Sequence, residues 1–501
     1  MRSLNIYIIV IWIAIFSGLQ SCELESEMYD AINPTIFPTT EEDVEALITG
    51  NVYGVFQSNE YDGIFNVANG IMLMNDILSD YGDCSWRAGW PELAYGRMKV
   101  QSDFLDLQWR YVPWLSKMTL TLDRMEGVDI NEELKQKRIA ELRCGRGFLA
   151  FLLYDFYGPI MIADIETLKN PLEEKILPRL SEEEMHDYIV TELTEAAKHL
   201  PYSYQKGDPD YGRFTKGLAN MVLLKFYMQT KNWEKAEEMG RELMKPEYGY
   251  ELMDEYKDIF TLAHEKNRET IWAVNCLPGY QEHIWHPHVL PTDYPTDPDH
   301  VVKWNGFKMT WQFFNTYEEG DKRKETIIYE YEGTDGTLHN EELDVPRGGQ
   351  LQFGAAPMKY EIDKATTGQK NQIDWIVYRY ADAITLLAEA IVRNGGAVTE
   401  EAVDLLNQVR TRAGLEAYTM SSFSDSRDFL DKLLMERAHE LYYEGARRQD
   451  LIRDGSYVEA IQRKARALGE VTTVGEYQHR APLPQAVINE GKGLIEQNPG
   501  Y

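Results

Sequence analysis

LANMVLLKFYMQTKNWEKAEEMGREL, residues 218–243, is the stretch from which the fold is read. Leu218 to Met228 is almost wholly apolar, which predicts a helix buried all round. Asn232 marks a turn, and beyond it Trp233, Ala236, Met239, Gly240 and Leu243 share one face at helical spacing. A helix, a short turn and a second helix carry small residues where two backbones must approach. That is a unit of about 34 residues with the tetratricopeptide pattern.

Working outward, the pattern returns with poorer register. Ser181 followed by Glu184 is a capping box. Met185, Tyr188, Ile189, Leu193, Ala196, Ala197 and Leu200 then recur at helical spacing until Pro201. Leu142 to Tyr157 reads as a helix stopped by Gly158-Pro159. Tyr380 to Val392, a turn at Asn394-Gly395-Gly396, and Ala402, Leu405, Leu406 and Val409 form another pair. A further helix is expected over about Asp428 to Tyr443. The predicted fold is mainly α, a scaffold of tetratricopeptide-like helix pairs with long irregular loop insertions. Residues 57–100 and 277–360 are the insertions: rich in Gly, Pro, Asp and aromatics, and without a sustained helical period. Loops on a rigid scaffold are where binding residues concentrate.

The N-terminus reads as an address. Arg2 precedes an apolar run from Ile6 to Phe16 that is shorter than the ~20 residues a membrane-spanning helix needs. It matches the apolar core of a secretory signal peptide. Leu19-Gln20-Ser21-Cys22 follows and resembles a bacterial lipobox, in which the cysteine is acylated. The expected organisation is a signal peptide over 1–21, a lipidated tether over 22–40, and one helical unit over 41–501. With 51 Lys and Arg against 82 Asp and Glu, the net charge of −31 argues against nucleic acid or anionic headgroups as partners. Lipidation of Cys22 leaves Cys84, Cys144 and Cys276, an odd number, and no disulfide is expected.

In this order the motifs resemble the SusD/RagB-like family, surface nutrient-binding lipoproteins of Bacteroidetes, over essentially the whole chain. The resemblance rests on Arg143 to Tyr157-Gly158-Pro159, Tyr188 to Pro201, and Gly212-Arg213 to Ala236. It is most specific in Arg379-Tyr380-Ala381-Asp382, in Arg412-Ala413-Gly414, and in Glu436-Arg437 through Asp450-Leu451. Pro482-Leu483-Pro484 and Gln497-Asn498-Pro499-Gly500-Tyr501 match the family's terminus. The first corner departs from the pattern, since Gly158-Pro159 stands where the family has Gly-x-x-Pro. The acidic stretch after Cys22 (Glu23, Glu25, Glu27) resembles a surface-export signal of such lipoproteins. The family implies binding without catalysis, an outer-membrane location facing the cell exterior, and a SusC-like TonB-dependent transporter as partner. Its implied ligand is a nutrient, most simply a glycan. A peptide ligand is the alternative, and a glycoside hydrolase is a more distant one.

Sugars stack their C–H faces on aromatic rings and need paired donors and acceptors for their hydroxyls. Trp86, Trp90, Trp285, Trp304 and Trp311 all lie in the two insertions. The expected ligand contacts are Trp86, Trp90, Asp83 and Tyr95 from the first, and Trp285 and Tyr294 from the second, with Arg87 and Tyr280 nearby. The ligand is expected to be a neutral or weakly charged oligosaccharide. His283, His286 and His288 have a spacing a transition metal could use, but Pro287 is expected to break any helix there. Asp293, Asp297 and Asp299 lack the glycine-centred loop of an EF-hand. There is no P-loop ending and no Gly-x-Ser-x-Gly elbow, and no metal or cofactor is expected. Glu436, Glu440 and Glu444 recur at i, i+4, with Arg437 and Arg448 near enough to neutralise some of them. They are read as an ion-pair network that fixes the angle between helices.

Overall fold

A computed structural model describes residues 37–501, apart from 171, 174, 298, 366 and 367. The signal peptide, Cys22 and most of the tether lie outside the described residues. Among the described residues, no helix is long and apolar enough to cross a membrane. The fold is mainly α, as the periodicity predicts. Its longer helices are α1 (Glu41–Ile48), α2 (Val112–Glu126), α3 (Glu132–Tyr157), α4 (Glu182–Ala197), α5 (Lys216–Gln229) and α6 (Trp233–Leu243). They continue with α7 (Tyr380–Gly395), α8 (Glu400–Arg412), α9 (Ser426–Glu440), α10 (Arg447–Asp454) and α11 (Tyr457–Ala467).

The helices from α2 to α8 pack in succession, each against the next, so the array is continuous although residues 244–379 intervene between α6 and α7. α5 is the buried centre, and its Lys225 is neutralised by Asp382 of α7 at 3.3 Å. α6 turns Ala236, Gly240 and Leu243 inward. A side chain at Gly240 would meet Leu387 of α7 at 2.9 Å, so the close crossing of α6 and α7 requires glycine. The capping box at Ser181 is present, and α3 begins ten residues before Leu142, where Asn131 caps Leu134. The early turns of α3 carry mostly charged residues, so the apolar signal begins only where burial does.

Among the described residues, three antiparallel strand pairs complete the fold: β1 (Gly82–Cys84) with β3 (Phe307–Met309), β2 (Thr270–Val274) with β6 (Trp375–Arg379), and β4 (Tyr331–Glu332) with β5 (Leu338–His339). In the first pair Asp83 stands opposite Lys308 and Cys84 opposite Phe307. This pair stitches the two insertions together. Cys84, Cys144 and Cys276 are free thiols.

The glutamate network is real but wired differently from the sequence reading. α9 ends at Glu440, so Glu444 lies in the turn beyond it rather than on the same helical face. Arg379, fully buried, donates Nε to Glu444 at 2.7 Å and Nη1 to Glu269 at 2.8 Å, and also pairs with Glu440. Arg412 bridges Glu269 and Glu440, and Arg323 and Arg410 hold Glu436. Arg437 and Arg448 serve other acids: Arg437 holds Asp382 and Asp450, and Arg448 holds Asp155. Burial alone would push the Glu440 carboxyl up. The surrounding Arg412, Arg379 and Arg323 outweigh it and hold the group down at about 2. Those arginines leave Glu440 no freedom to exchange protons near neutral pH, and the cluster ties β6, α8 and α9 together.

Candidate functional site

The two insertions form one layer. Besides the β1–β3 pair, Ser85 N–H donates to Gly306 O at 2.8 Å, and Gln281 Nε2 donates to Ser58 Oγ at 3.1 Å. Where residues 57–62 meet residues 280–284 and 369–370, an open cleft of about 710 Å³ forms. Its aromatic walls are Tyr61, 55% exposed, and Tyr280, 84% exposed. Asn59, Asp62, Glu282 and Gln369 supply polar groups around them.

Local geometry explains why these rings stand out. Tyr280 is carried at the tip of a tight turn closed by Leu277 and Gln281, whose backbones bond at 2.7 Å, with Gly279 at φ +78°. Glu282 braces that turn by accepting the Gly279 N–H at 3.0 Å, and Lys370 pairs with the same carboxylate at 3.1 Å. The backbone of Tyr61 is pinned by Arg110, which donates to its carbonyl at 2.6 Å. Tyr111 donates to Gly63 O at 2.6 Å, and Gly63, at φ +85°, has no room for a side chain against Gln57. Both backbones are held while both rings face solvent. This is the combination a sugar platform needs: apolar faces beside hydrogen-bonding groups, with little ordering left to do on binding.

The residues singled out from sequence separate into two groups. Trp86 stays 37% exposed; its Nε1 donates to Trp304 O at 2.9 Å and its ring leans on Phe307. Tyr294 is half-buried, edge-on to Tyr331. The other four are interior. Trp90, 4% exposed, stacks on Phe104 with ring centres 4.4 Å apart. Trp285 is buried and donates to the carbonyls of Pro357 and Met358. Tyr95 donates to the buried Asp83 at 2.5 Å, and Arg87 pairs with Asp83 at 3.0 Å while reaching Glu470 with its other nitrogen. Trp90, Trp285, Asp83 and Tyr95 are thus core members and present no face to a ligand. Large rings in a loop layer this thick are worth more buried than exposed.

The histidines are likewise structural. Pro287 does not break the segment: Trp285–Val289 forms one helical turn, in which a missing N–H costs little. His286 accepts from Asn371 and meets Tyr360 O at 2.9 Å, and His288 meets Ile284 O at 2.9 Å. Burial pushes both rings down to about 4, so they stay neutral. Asp293 accepts from Tyr331 at 2.6 Å and faces His339, and Asp297 pairs with Lys364. Among the described residues, no group of three His, Cys, Asp or Glu is placed to hold a metal ion.

Tyr61 was not singled out in the sequence, and Tyr280 was noted only as a neighbour. A signal was there. Asp62-Gly63 and Pro278-Gly279 are turn dipeptides, and an aromatic beside such a turn has few neighbours to bury it.

Residues 268–501 match the SusD family. A SusD-like protein of Formosa agariphila is 23% identical, with 98% of this chain and 99% of that protein covered. The starch-binding protein SusD of Bacteroides thetaiotaomicron is 22% identical over 79% of this chain and 78% of its own. Surface glycan-binding protein A of Bacteroides thetaiotaomicron, solved in complex with laminarihexaose, superposes with a TM-score of 0.73 at 20% identity, covering 92% of this chain and 100% of that one. Helix order, closing motifs and overall superposition agree: residues 268–501 match the SusD family, and the chain as a whole has the fold of SusD-like proteins.

Proposed function

We propose that this protein binds an oligosaccharide in the cleft between Tyr61 and Tyr280 and delivers it to a TonB-dependent, SusC-like transporter, without turning it over. The observation that carries the reading is the cleft itself: two exposed rings on pinned backbones, with carboxylate and amide groups between them. The relatives support it, since one is a starch-binding protein and another was solved with laminarihexaose. Anchoring through an acylated Cys22, facing outward from the outer membrane, fits the lipobox and the delivery role. Trp86 and Tyr294 are the remaining candidates for outlying contacts in the same loop layer.

Each stacked ring contributes about 1 kcal/mol, the scale of an aromatic pair. Two such rings with a few hydrogen bonds give dissociation constants of about micromolar to millimolar, suited to a protein that must release its cargo. Calorimetry with starch oligosaccharides, laminarihexaose and a peptide pool tests this. One glycan binds, and Tyr61→Ala and Tyr280→Ala each weaken it about two- to tenfold. Equal binding by both variants moves the site elsewhere; binding of peptides alone rejects the glycan reading. Co-purification from outer membranes that recovers no β-barrel partner overturns the delivery step.

A further inference from the structure

The open cleft that carries Tyr61 and Tyr280 is one-sided in charge. Among the described residues, Glu60, Asp62 and Glu282 line it with carboxylates, against Lys370 as its one lining cation. Lys370 is engaged: its Nζ lies 3.1 Å from Glu282 Oε2, which also accepts the Gly279 N–H at 3.0 Å. Arg110 is not part of the lining, and its Nη2 is held by Tyr61 O at 2.6 Å and by Tyr111 Oη at 2.8 Å. Among the described residues, neither Glu60 nor Asp62 is in an ion pair. Glu60 is placed by Tyr61 itself, whose hydroxyl is hydrogen-bonded to it, so a carboxylate sits at the rim of one exposed ring.

Two features of the cleft therefore favour positive charge. The uncompensated carboxylates attract a cation directly. The faces of the exposed tyrosine rings carry negative charge density and draw ammonium groups as well as sugar C–H faces. A sulfated or uronate sugar would meet Glu60 and Asp62 with no free cation in the lining to receive it. An amino sugar presents a C–H face and an ammonium on one ring, and so uses the tyrosines and the carboxylates together. Glu60 and Asp62 both stay open to solvent, so the electrostatic gain is modest and screened by salt.

We propose that this cleft selects glycans carrying free amino groups, with Glu60 and Asp62 as the residues that read the charge. The proposal rests on the glycan reading of the cleft and names its substrate class. Three hexasaccharides with one linkage, differing only at C2, are the probes: cellohexaose with a hydroxyl, the N-acetylglucosamine hexamer with a neutral amide, and the glucosamine hexamer with an ammonium. They are titrated by calorimetry into the full chain carrying Cys22→Ala, at a pH that keeps the amines protonated. The glucosamine hexamer binds about three- to tenfold more tightly than either neutral probe, the scale of one exposed ion pair with a cation–π contact. The advantage shrinks as NaCl is raised. Glu60→Gln combined with Asp62→Asn removes it while the circular dichroism spectrum is unchanged. That double change alters a net charge of −31 by only two, so diffuse attraction of a polycation to an acidic chain would survive it. An advantage retained by the folded double variant overturns the proposal. If that variant does not fold, Tyr280→Ala decides instead, since undiminished binding of the glucosamine hexamer places its site elsewhere. A neutral glycan that binds as well as or better than the glucosamine hexamer overturns the charge selection and leaves the glycan reading intact. No binding by these probes, laminarihexaose or starch oligosaccharides overturns both. An oligolysine peptide that binds as tightly as the glucosamine hexamer, and is lost in the double variant, overturns the sugar class.

Discussion

The helical array and the loop layer solve the same problem, burying a large apolar surface, by opposite means. In α5 burial takes in nearly every side chain, in α6 it follows helical spacing, and one glycine decides how closely α6 and α7 cross. In the loop layer burial follows long-range pairing. Trp86 leans on residues 304 and 307, Trp285 on 357 and 358, and strands of two or three residues hold the partners in place. The array joins its helices through a network of buried ion pairs, whereas the loop layer combines hydrogen bonds to backbone carbonyls with short-range pairs such as Arg87 and Asp83. Rigidity in the array is therefore electrostatic as well as steric, and rigidity in the loops rests on aromatic packing. The solvent-facing rings, Tyr61 and Tyr280 foremost, are the few that the loop layer does not absorb.

The strongest way to break this contrast is Arg379→Ala. It leaves Glu269, Glu440 and Glu444 buried with too little counter-charge, and the expected loss is about 3–5 kcal/mol in denaturant unfolding. A loss under about 1 kcal/mol would show that the array does not depend on the network. The same cluster predicts acid sensitivity. Glu440 is held below its ordinary value in the folded chain, so its contribution is complete above about pH 5. It is lost as pH falls through that range toward 2, where the folded group protonates. Urea midpoints measured from pH 7 down to 3 should fall most steeply at the acid end, and a flat profile would contradict the wiring.

Trp90→Ala probes the other regime. Removing a ring stacked on Phe104 and edge-on to Phe307 should cost about 3 kcal/mol, with the loss read as a lowered midpoint at constant slope. Trp90 was expected to touch ligand, and a Trp90→Ala protein of native stability would restore that role. The smallest stability effect belongs to Tyr280→Ala, within about 0.5 kcal/mol, because the ring is exposed and its turn is closed by backbone bonds. Unchanged stability together with weakened glycan binding separates platform from core.

The helix pairs were legible in the chain. Capping at Ser181 and the glycine at 240 involve neighbours one to four residues apart, or one facing helix whose own pattern is equally plain. The loop layer was legible only as composition. That Trp, Tyr and Asp crowd residues 57–100 and 277–360 was visible. Which of them face solvent was not, because Trp86 meets Trp304 across 218 positions and Tyr95 meets an aspartate whose burial depends on β3. The glutamate triplet shows the same limit at short range: spacing put Glu444 on a helical face, and the turn after Glu440 took it off.

By itself, then, the sequence determined the α5–α6 and α7–α8 pairs and the helices α3, α4 and α9, since helical periodicity is a property of adjacent turns and is written locally. α1, α2, α10 and α11 emerged only in the structure. Tertiary structure alone decided that Tyr61 and Tyr280 line one open cleft while Trp90 and Trp285 are enclosed. It also decided that Arg143 and Arg146 share one carboxylate, that of Glu192. Exposure and charge balance are sums over everything that packs around a side chain, and most of those neighbours come from distant parts of the chain.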